Sequence, residues 1–372
     1  GLPESLYETN YDKVLNDPEI AIVVELIGGT TLAKEFIIKA LNAGKHVVTA
    51  NKALLAHYGR ELFALARKNK VVIGFEASCG GGIPIIRALY DGLMANRNEA
   101  LFGIVNGTCN YILTQMTQNG KTYAEALAEA QRDGLAEANP TLDVSGLDSA
   151  HKLVIMSSLA FGKYVSLEQT PVIGIDTLEL SDVLAGQELG YTIKLIAMAR
   201  KYPDGRISTI VCPAFIDKKH PLAWVSGSFN AISVYGHAVG HTMYYGRGAG
   251  ASPTGSAVVS DVISILSGAT EKFFNTYQIW RDLLPDAEML PSGLGEEKFY
   301  IRFNVVDRPG VLAKVTAIFA KHNISIASVV QKKAEKEDHA IPIVIITHLA
   351  LEGNIAEALK EISALDEFNG NT

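Results

Sequence analysis

The sequence predicts an α/β chain in three parts: a doubly wound parallel sheet, an α+β segment with an antiparallel sheet, and a small β-α-β-β-α module. Three observations predict it. Apolar strands alternate with amphipathic helices over residues 1–78, the pattern changes after Cys79, and a Pro/Gly/acid-rich stretch at 285–296 separates the last 76 residues. A chain of 372 residues is too long for one ordinary domain, and 48% hydrophobic with 20% charged residues is the balance of globular cores.

Ala21–Ile27 is an apolar run interrupted by Glu25 and stopped by Gly28 and Gly29, the form of a buried parallel strand. A helix follows with Leu32, Phe36, Ile37 and Leu41 on one face and Gly44 just past its end. The strand Lys45–Ala50, a helix over Leu54–Lys68 and the strand Val71–Phe75 complete the first part. No Gly-x-Gly-x-x-Gly run precedes Ala21; Gly80–Gly82 comes too late, and Gly246–Gly250 sits in no strand–turn–helix unit. Residues 1–78 are therefore expected to be the later half of a Rossmann domain whose first βα unit is missing.

From residue 79 to 247, helices are expected over Ile83–Leu93, Tyr111–Gly120 and Tyr123–Asp133, then strands over Ile207–Phe215, Phe229–Val234 and Thr242–Tyr245. Residues 248–284 return to a helical pattern that could pack on the first domain, and 285–296 read as a linker. In residues 297–372, Phe299, Ile301, Phe303 and Val305 alternate with polar neighbours as a half-buried strand. Asp307–Gly310 turns into a helix striped by Val311, Leu312, Val315, Ile318 and Phe319. Strands Ile324–Val330 and Ile341–Thr347 and a helix over Asn354–Ala364 follow.

A net charge of −7 gives no electrostatic case for nucleic acid. Apolar runs such as Ile20–Val24 are far too short for a membrane span, and no signal-peptide pattern opens the chain, so a cytoplasmic protein is expected. Cys79, Cys109 and Cys212 are scattered, which excludes a disulfide framework and a four-thiolate zinc site, and nine histidines lack ligand spacing.

The richest chemistry lies in Gly134–Lys152, with Glu137, Asp143, Asp148 and Lys152 around an Asn139-Pro140 turn. Asp148 and Lys152 are four apart and share a helix face. They could be an exposed ion pair contributing about 0.3–0.5 kcal/mol. The same stripe continues with Ile155 and Leu159, however, which favours a cleft, where desolvation draws a lysine pKa down toward the working range. Lys52 ends a parallel strand, at the edge where doubly wound folds bind ligands, or it is a solvated lysine at a helix start. The loop Glu76–Pro84 either gathers carbonyls and a carboxylate around a hard cation or is a plain hinge.

Five motifs in order, Val48–Lys52, Phe75–Ile86, Val105–Leu113, Gly134–Lys152 and Gly248–Val259, together resemble homoserine dehydrogenase over residues 20 to about 265. The tail, with Asp307–Leu312 at its first turn, resembles a ferredoxin-like ACT domain. The resemblance implies interconversion of L-homoserine and L-aspartate 4-semialdehyde in threonine, methionine and isoleucine biosynthesis, with NADP, or alternatively NAD, as cofactor. It implies Lys152 as proton donor and acceptor, Lys52 beside it touching the cofactor, and Asp148 orienting both lysine and substrate. Glu137 and Asp143 would hold the substrate ammonium, and Gly134 and Gly250 would lie near the nicotinamide. Glu76 with the carbonyls of Cys79, Gly81 and Ile83 would hold a monovalent cation, sodium. The implied assembly is a homodimer or homotetramer, with an amino-acid effector, threonine, at the ACT domain near Asp307–Gly310 and Asn323. The ACT domain's final strand is missing.

Two rival readings remain open at this level. Another NAD(P)-dependent semialdehyde or hydroxy-acid dehydrogenase would use a nucleophilic cysteine, with Cys109 the candidate, and would lose turnover in Cys109→Ser. A non-catalytic amino-acid sensor would not require the Lys52, Glu137, Asp148 and Lys152 set.

Overall fold

The computed structural model describes residues 3–278, 280–306, 308–331 and 341–365. They group into two compact units, one within Gly1–Val183 and Gly190–Glu288, the other within Leu184–Leu189 and Met289–Thr372.

The first unit opens with a parallel sheet of β1 (Ile22–Glu25), β2 (His46–Thr49) and β3 (Ile73–Gly74) in that order, Ile22 facing His46 and Val47 facing Ile73. Helices Leu32–Asn42 and Lys52–Lys68 make the crossovers, burying Ile37 and Leu41 on the first and Leu54, Leu55, Leu62 and Phe63 on the second. The second helix starts at Lys52 rather than Leu54, because the Asn51 side chain accepts from the Leu54 amide at 3.1 Å and caps it.

Five antiparallel strands form the second sheet, ordered β6 (Ile207–Asp217), β5 (Tyr191–Lys201), β4 (Asn98–Ile104), β7 (Phe229–Gly236) and β8 (Gly240–Arg247). Neither β4 nor β5 is among the strands expected from the sequence. The helix expected over Ile83–Leu93 breaks into a turn at Ile85–Arg87 and a wide π-type turn at Ala88–Gly92. Helix Gly107–Asn119 starts four residues before the expected Tyr111, since the Asn106 side chain accepts from the Cys109 amide at 2.8 Å.

Helix Leu147–Phe161 is the central element of this unit, with all but its first residue buried. It packs against both helix Lys52–Lys68 and the second sheet. Helix Ala251–Leu266 lies along β2 and β3, and Trp280 closes an aromatic core with Phe63, Phe75, Tyr90 and Phe274 at centroid distances of 5.4 to 6.0 Å. The expected linker is partly pinned: Tyr164 N donates to Pro285 O at 2.8 Å and Ile207 N to Glu288 O at 2.9 Å.

The second unit has a small pair, β9 (Glu296–Glu297) with β13 (Ala350–Leu351). Its main sheet is β10 (Tyr300–Val305), β12 (Ile341–Thr347) and β11 (Ile326–Gln331), with β12 in the middle. Helices Val311–Lys321 and Glu352–Ser363 cover the sheet, burying Phe303, Val315, Phe319, Ile345, Ile355 and Ile362 between them. Asn323, just past the first helix, takes a left-handed φ of 55°, a conformation its short polar side chain tolerates. Of the positions expected near an effector, Asp307 lies outside the described residues. Arg308, Pro309 and Gly310 line a cavity of about 300 Å³ that Gln331 and Ile343 complete.

Candidate active site

Asp148 occupies the first turn of helix Leu147–Phe161, where the helix dipole favours a carboxylate, and Lys152 follows one turn later on the same face. Lys152 Nζ donates to Asp148 Oδ2 at 2.7 Å and to the Val105 carbonyl at 2.6 Å. Lys52 arrives from the carboxyl end of β2, at the start of its own helix, and its Nζ lies 3.0 Å from Asp148 Oδ1. One carboxylate thus holds two ammoniums, one on each oxygen. Asp148 is 2% exposed and Lys152 8%, while about a third of the Lys52 side chain meets solvent.

Asn106 binds this group to a second carboxylate. Its amide nitrogen donates to Asp148 Oδ2 at 2.9 Å and to Asp143 Oδ1 at 2.7 Å. Burial alone would raise the Asp148 carboxyl, but Lys152 and Lys52 outweigh it and hold the group well below the usual carboxylate range. Burial likewise opposes the charge on Lys52, and Asp148 outweighs it, so the pKa of Lys52 rises instead of falling as expected for a desolvated lysine. Asp143 is half-buried and its carboxyl is pushed up by that burial. His151, next to Lys152 in the chain, is pushed down to about 4 by burial and by His57, so it stays neutral at working pH.

Cys109 is fully buried, its Sγ 3.2 Å from the Asp143 carbonyl, and burial pushes its thiol well above the ordinary value. Cys79 is pushed up to about 12 for the same reason. Neither supplies a thiolate near neutrality, which counts against the cysteine-nucleophile rival.

Glu137 does not join the cluster. It is exposed on the loop after helix Tyr123–Arg132, where only Ala136 provides an apolar anchor and the backbone carbonyl of Glu137 accepts from Gln131 Nε2 at 3.1 Å. Gly134, at a φ of 72°, begins that loop, and Gly250, at 116°, precedes helix Ala251–Leu266.

Glu76 is 4% exposed and accepts from the Ile86 and Arg87 amides at 2.9 and 2.8 Å, one on each oxygen. Burial pushes its carboxyl up to about 7, and that of Asp261, which accepts from the Glu76 amide at 2.8 Å, to about 6. Past it the loop doubles back, with Ile83 N donating to Gly80 O and Gly82 N to Arg247 O. A Cβ at Gly81 would lie 2.5 Å from the Gly248 carbonyl, so that approach needs glycine. Each Glu76 oxygen keeps a lone pair beyond the one amide it accepts from, and a buried carboxylate with spare acceptor capacity fits a hard cation. Among the described residues, no group of His, Cys, Asp and Glu is arranged to hold a metal.

The carboxyl ends of β1 and β2 carry further polar groups that the sequence reading left out. Thr49 Oγ1 donates to Glu25 Oε2 at 2.6 Å, and Glu25 Oε1 accepts from the Ile27 and Gly28 amides. Asn51 Nδ2 donates to the Gly29 carbonyl at 2.7 Å. A charged residue in an otherwise apolar strand was the available signal. Gly28 and Gly29 have positive φ and open space where a Cβ would stand, so this edge suits the close approach of a dinucleotide.

Comparison with known proteins matches residues 84–263 to the homoserine dehydrogenase family, 1–76 to the homoserine dehydrogenase NAD binding domain and 299–367 to the ACT domain. Homoserine dehydrogenase of Pseudomonas aeruginosa is 44% identical over 357 residues, covering 95% of this chain and 82% of that protein. The crystal structure of a homoserine dehydrogenase from Thiobacillus denitrificans superposes with a TM-score of 0.92 at 45% identity, covering 98% of this chain and 83% of that one. A hyperthermophilic archaeal homoserine dehydrogenase in complex with NADPH superposes at 0.60 with 28% identity, over 70% of this chain and 76% of its own. The chain belongs to the homoserine dehydrogenase family and is an oxidoreductase built from an NAD-binding domain, a catalytic domain and an ACT domain.

Proposed function

We propose that Asp148, Lys52 and Lys152 form the proton-handling centre for interconverting L-homoserine and L-aspartate 4-semialdehyde. The observation that carries this is the buried Asp148 carboxylate with one lysine on each oxygen, one of them reaching solvent. A nicotinamide, when bound, would supply the redox chemistry as the donor or acceptor of hydride at the reacting carbon. Lys152 Nζ uses two of its three N–H donors on Asp148 and Val105, which leaves one for the substrate oxygen. In the reducing direction Lys152 gives that proton to the aldehyde oxygen; in the oxidising direction the neutral amine removes it from the hydroxyl. Asp148, held ionised, steadies the ammonium and fixes its direction, and Lys52 adds positive charge where the oxygen becomes negative.

Asp143 and Glu137 would hold the substrate ammonium, with Glu137 brought in from its exposed loop. Lys52, Gly134 and Gly250 would face the cofactor. The NADPH complex of the archaeal relative supports NADP as the preferred cofactor. The Glu76 loop, with the carbonyls of Cys79, Gly81 and Ile83, would hold sodium. The cavity at Arg308–Gly310 would hold threonine as the effector. The exposed edge strand β8, with Met243 and Tyr245 outward, supports a homodimer or homotetramer. No described helix is long and apolar enough to cross a membrane, in keeping with the proposed cytoplasmic location. The domain limits we propose are 1–78, 79–247, 248–284, 285–296 and 297–372. The direct test follows homoserine-dependent reduction of NADP and of NAD side by side. A higher kcat/KM with NADP is expected, and no homoserine-dependent reduction of either would overturn the reading.

A further inference from the structure

We propose that Arg281 is a positioning residue for this reaction, a clamp that holds the helix carrying Lys52 against the helix carrying Asp148 and Lys152 at the spacing that lets Lys52 reach Asp148. The inference rests on the proton-handling role proposed for that cluster.

Arg281 follows helix Ala269–Thr276 and is far in sequence from both lysines, yet its side chain is buried between their helices at 2% exposure. Nη1 donates to the Val154 carbonyl at 3.1 Å, two residues past Lys152. Nη2 donates to the Ala56 carbonyl at 3.3 Å, one turn past Lys52. A single planar fork therefore spans both helices with two donors held in a fixed geometry, which an apolar side chain could not do and a lysine ammonium could do only from one nitrogen within reach of both carbonyls. The Val154 carbonyl already accepts from Ser158 Oγ at 2.6 Å, so the guanidinium adds to bonds that the helix makes for itself.

The surroundings are shaped for this side chain. The guanidinium lies 4.7 Å from the centre of the Tyr164 ring, which Arg60 also covers at 4.0 Å. Arg60 donates to the Arg281 and Leu284 carbonyls at 3.4 and 2.7 Å, tying the backbone of that segment to helix Lys52–Lys68. A Cβ at Gly59 would come within 3.3 Å of Arg281 Cδ and Nε, so glycine leaves the room the arginine occupies. Burying a guanidinium against carbonyls is costly, and plain packing between two helices would be better served by leucine or methionine. The geometry points to its directional donors as the reason for its presence.

The test is steady-state kinetics on Arg281→Met and Arg281→Lys in the full chain, with thermal unfolding and cofactor binding measured alongside. Misplacing a catalytic group by about 1 Å can cost roughly 100-fold in rate, so Arg281→Met should lose about 10- to 100-fold in kcat. KM for homoserine and the cofactor Kd should stay within about threefold of the parent, and Arg281→Lys should recover only part of the loss. A parental kcat overturns the proposal, as does a loss that merely follows the folded fraction. If Arg281→Met does not fold, Gly59→Ala crowds the guanidinium from the other side and is judged by the same criteria. If Lys152→Ala keeps full activity, the reading of the cluster fails with it; if only the arginine variants keep full kcat, this inference fails alone.

Discussion

Asp148 and Lys152 meet at 2.7 Å, one turn apart on a helix whose side chains are almost all buried, and Lys52 closes on the other oxygen of the same carboxylate. An exposed pair at this spacing would contribute a few tenths of a kcal/mol. Here burial and the second lysine change the energetics, because removing the carboxylate would take from two ammoniums the counter-charge that both of them touch.

Asp148→Asn should therefore destabilise the protein by about 3–5 kcal/mol at neutral pH, the usual cost of breaking a buried pair. The folded-state pKa of Asp148 is depressed, so its stabilisation is full above the unfolded carboxylate value of about 4 and is lost as pH falls through the folded value. The pKa of Lys52 is raised, so its share is full below the unfolded lysine value of about 10.4 and is lost as pH rises through the folded value. Denaturation from pH 3 to 11 should show a constant gap between parent and variant from about pH 4 to 10, narrowing outside that window. A gap that peaks below pH 4 would contradict this electrostatic account.

Glu137 lies exposed on its loop, so its substitution should leave the fold alone and act on substrate binding. Glu137→Gln is expected to raise KM for homoserine roughly 10-fold, the scale of one lost charge-assisted contact, with kcat within about threefold of the parent. A fall in kcat at constant KM would assign Glu137 a different role.

Sodium should stabilise the folded protein through the Glu76 loop, since a ligand that binds only the native state raises the unfolding midpoint with its concentration. Exchanging sodium for choline at fixed ionic strength should lower the midpoint of the parent by a few degrees and leave Glu76→Gln unaffected. Equal responses in both proteins would remove Glu76 from the cation site.

Threonine should bind the second unit and weaken substrate or cofactor binding, with a coupling of about 1–3 kcal/mol that is reciprocal. Arg308 lines the cavity there, so Arg308→Ala should need roughly 10-fold more threonine for half-inhibition while its uninhibited rate matches the parent. No inhibition and no heat of binding at millimolar threonine would end the assignment of this effector.

Legibility in the sequence followed local pattern. The parallel strands, their helices and the Asp148/Lys152 face were readable because periodicity and i,i+4 spacing report them directly. Strands β4 and β5 were not, since Asn98, Glu99 and Gly103 are poor strand formers, and Lys194 and Arg200 break the apolar pattern expected of interior strands. Lys194 is buried by donating to Asn110 Oδ1 and the Val225 carbonyl, a compensation only the fold shows. Asn106 looks like an ordinary helix cap, and its amide's reach to Asp143 and Asp148 spans 37 and 42 residues. Arg281 is harder still, with partners 127 and 225 residues away. Glu137 shows the opposite limit: the resemblance puts it at the substrate ammonium, yet it lies exposed on a loop whose one buried apolar side chain is Ala136.

Whether Lys152 moves the substrate proton is decided by single-turnover and steady-state kinetics on Lys152→Ala, with cofactor binding measured separately. kcat should fall by about 100-fold or more, the usual scale of general acid–base catalysis, with cofactor Kd essentially unchanged. Turnover within threefold of the parent would contradict it.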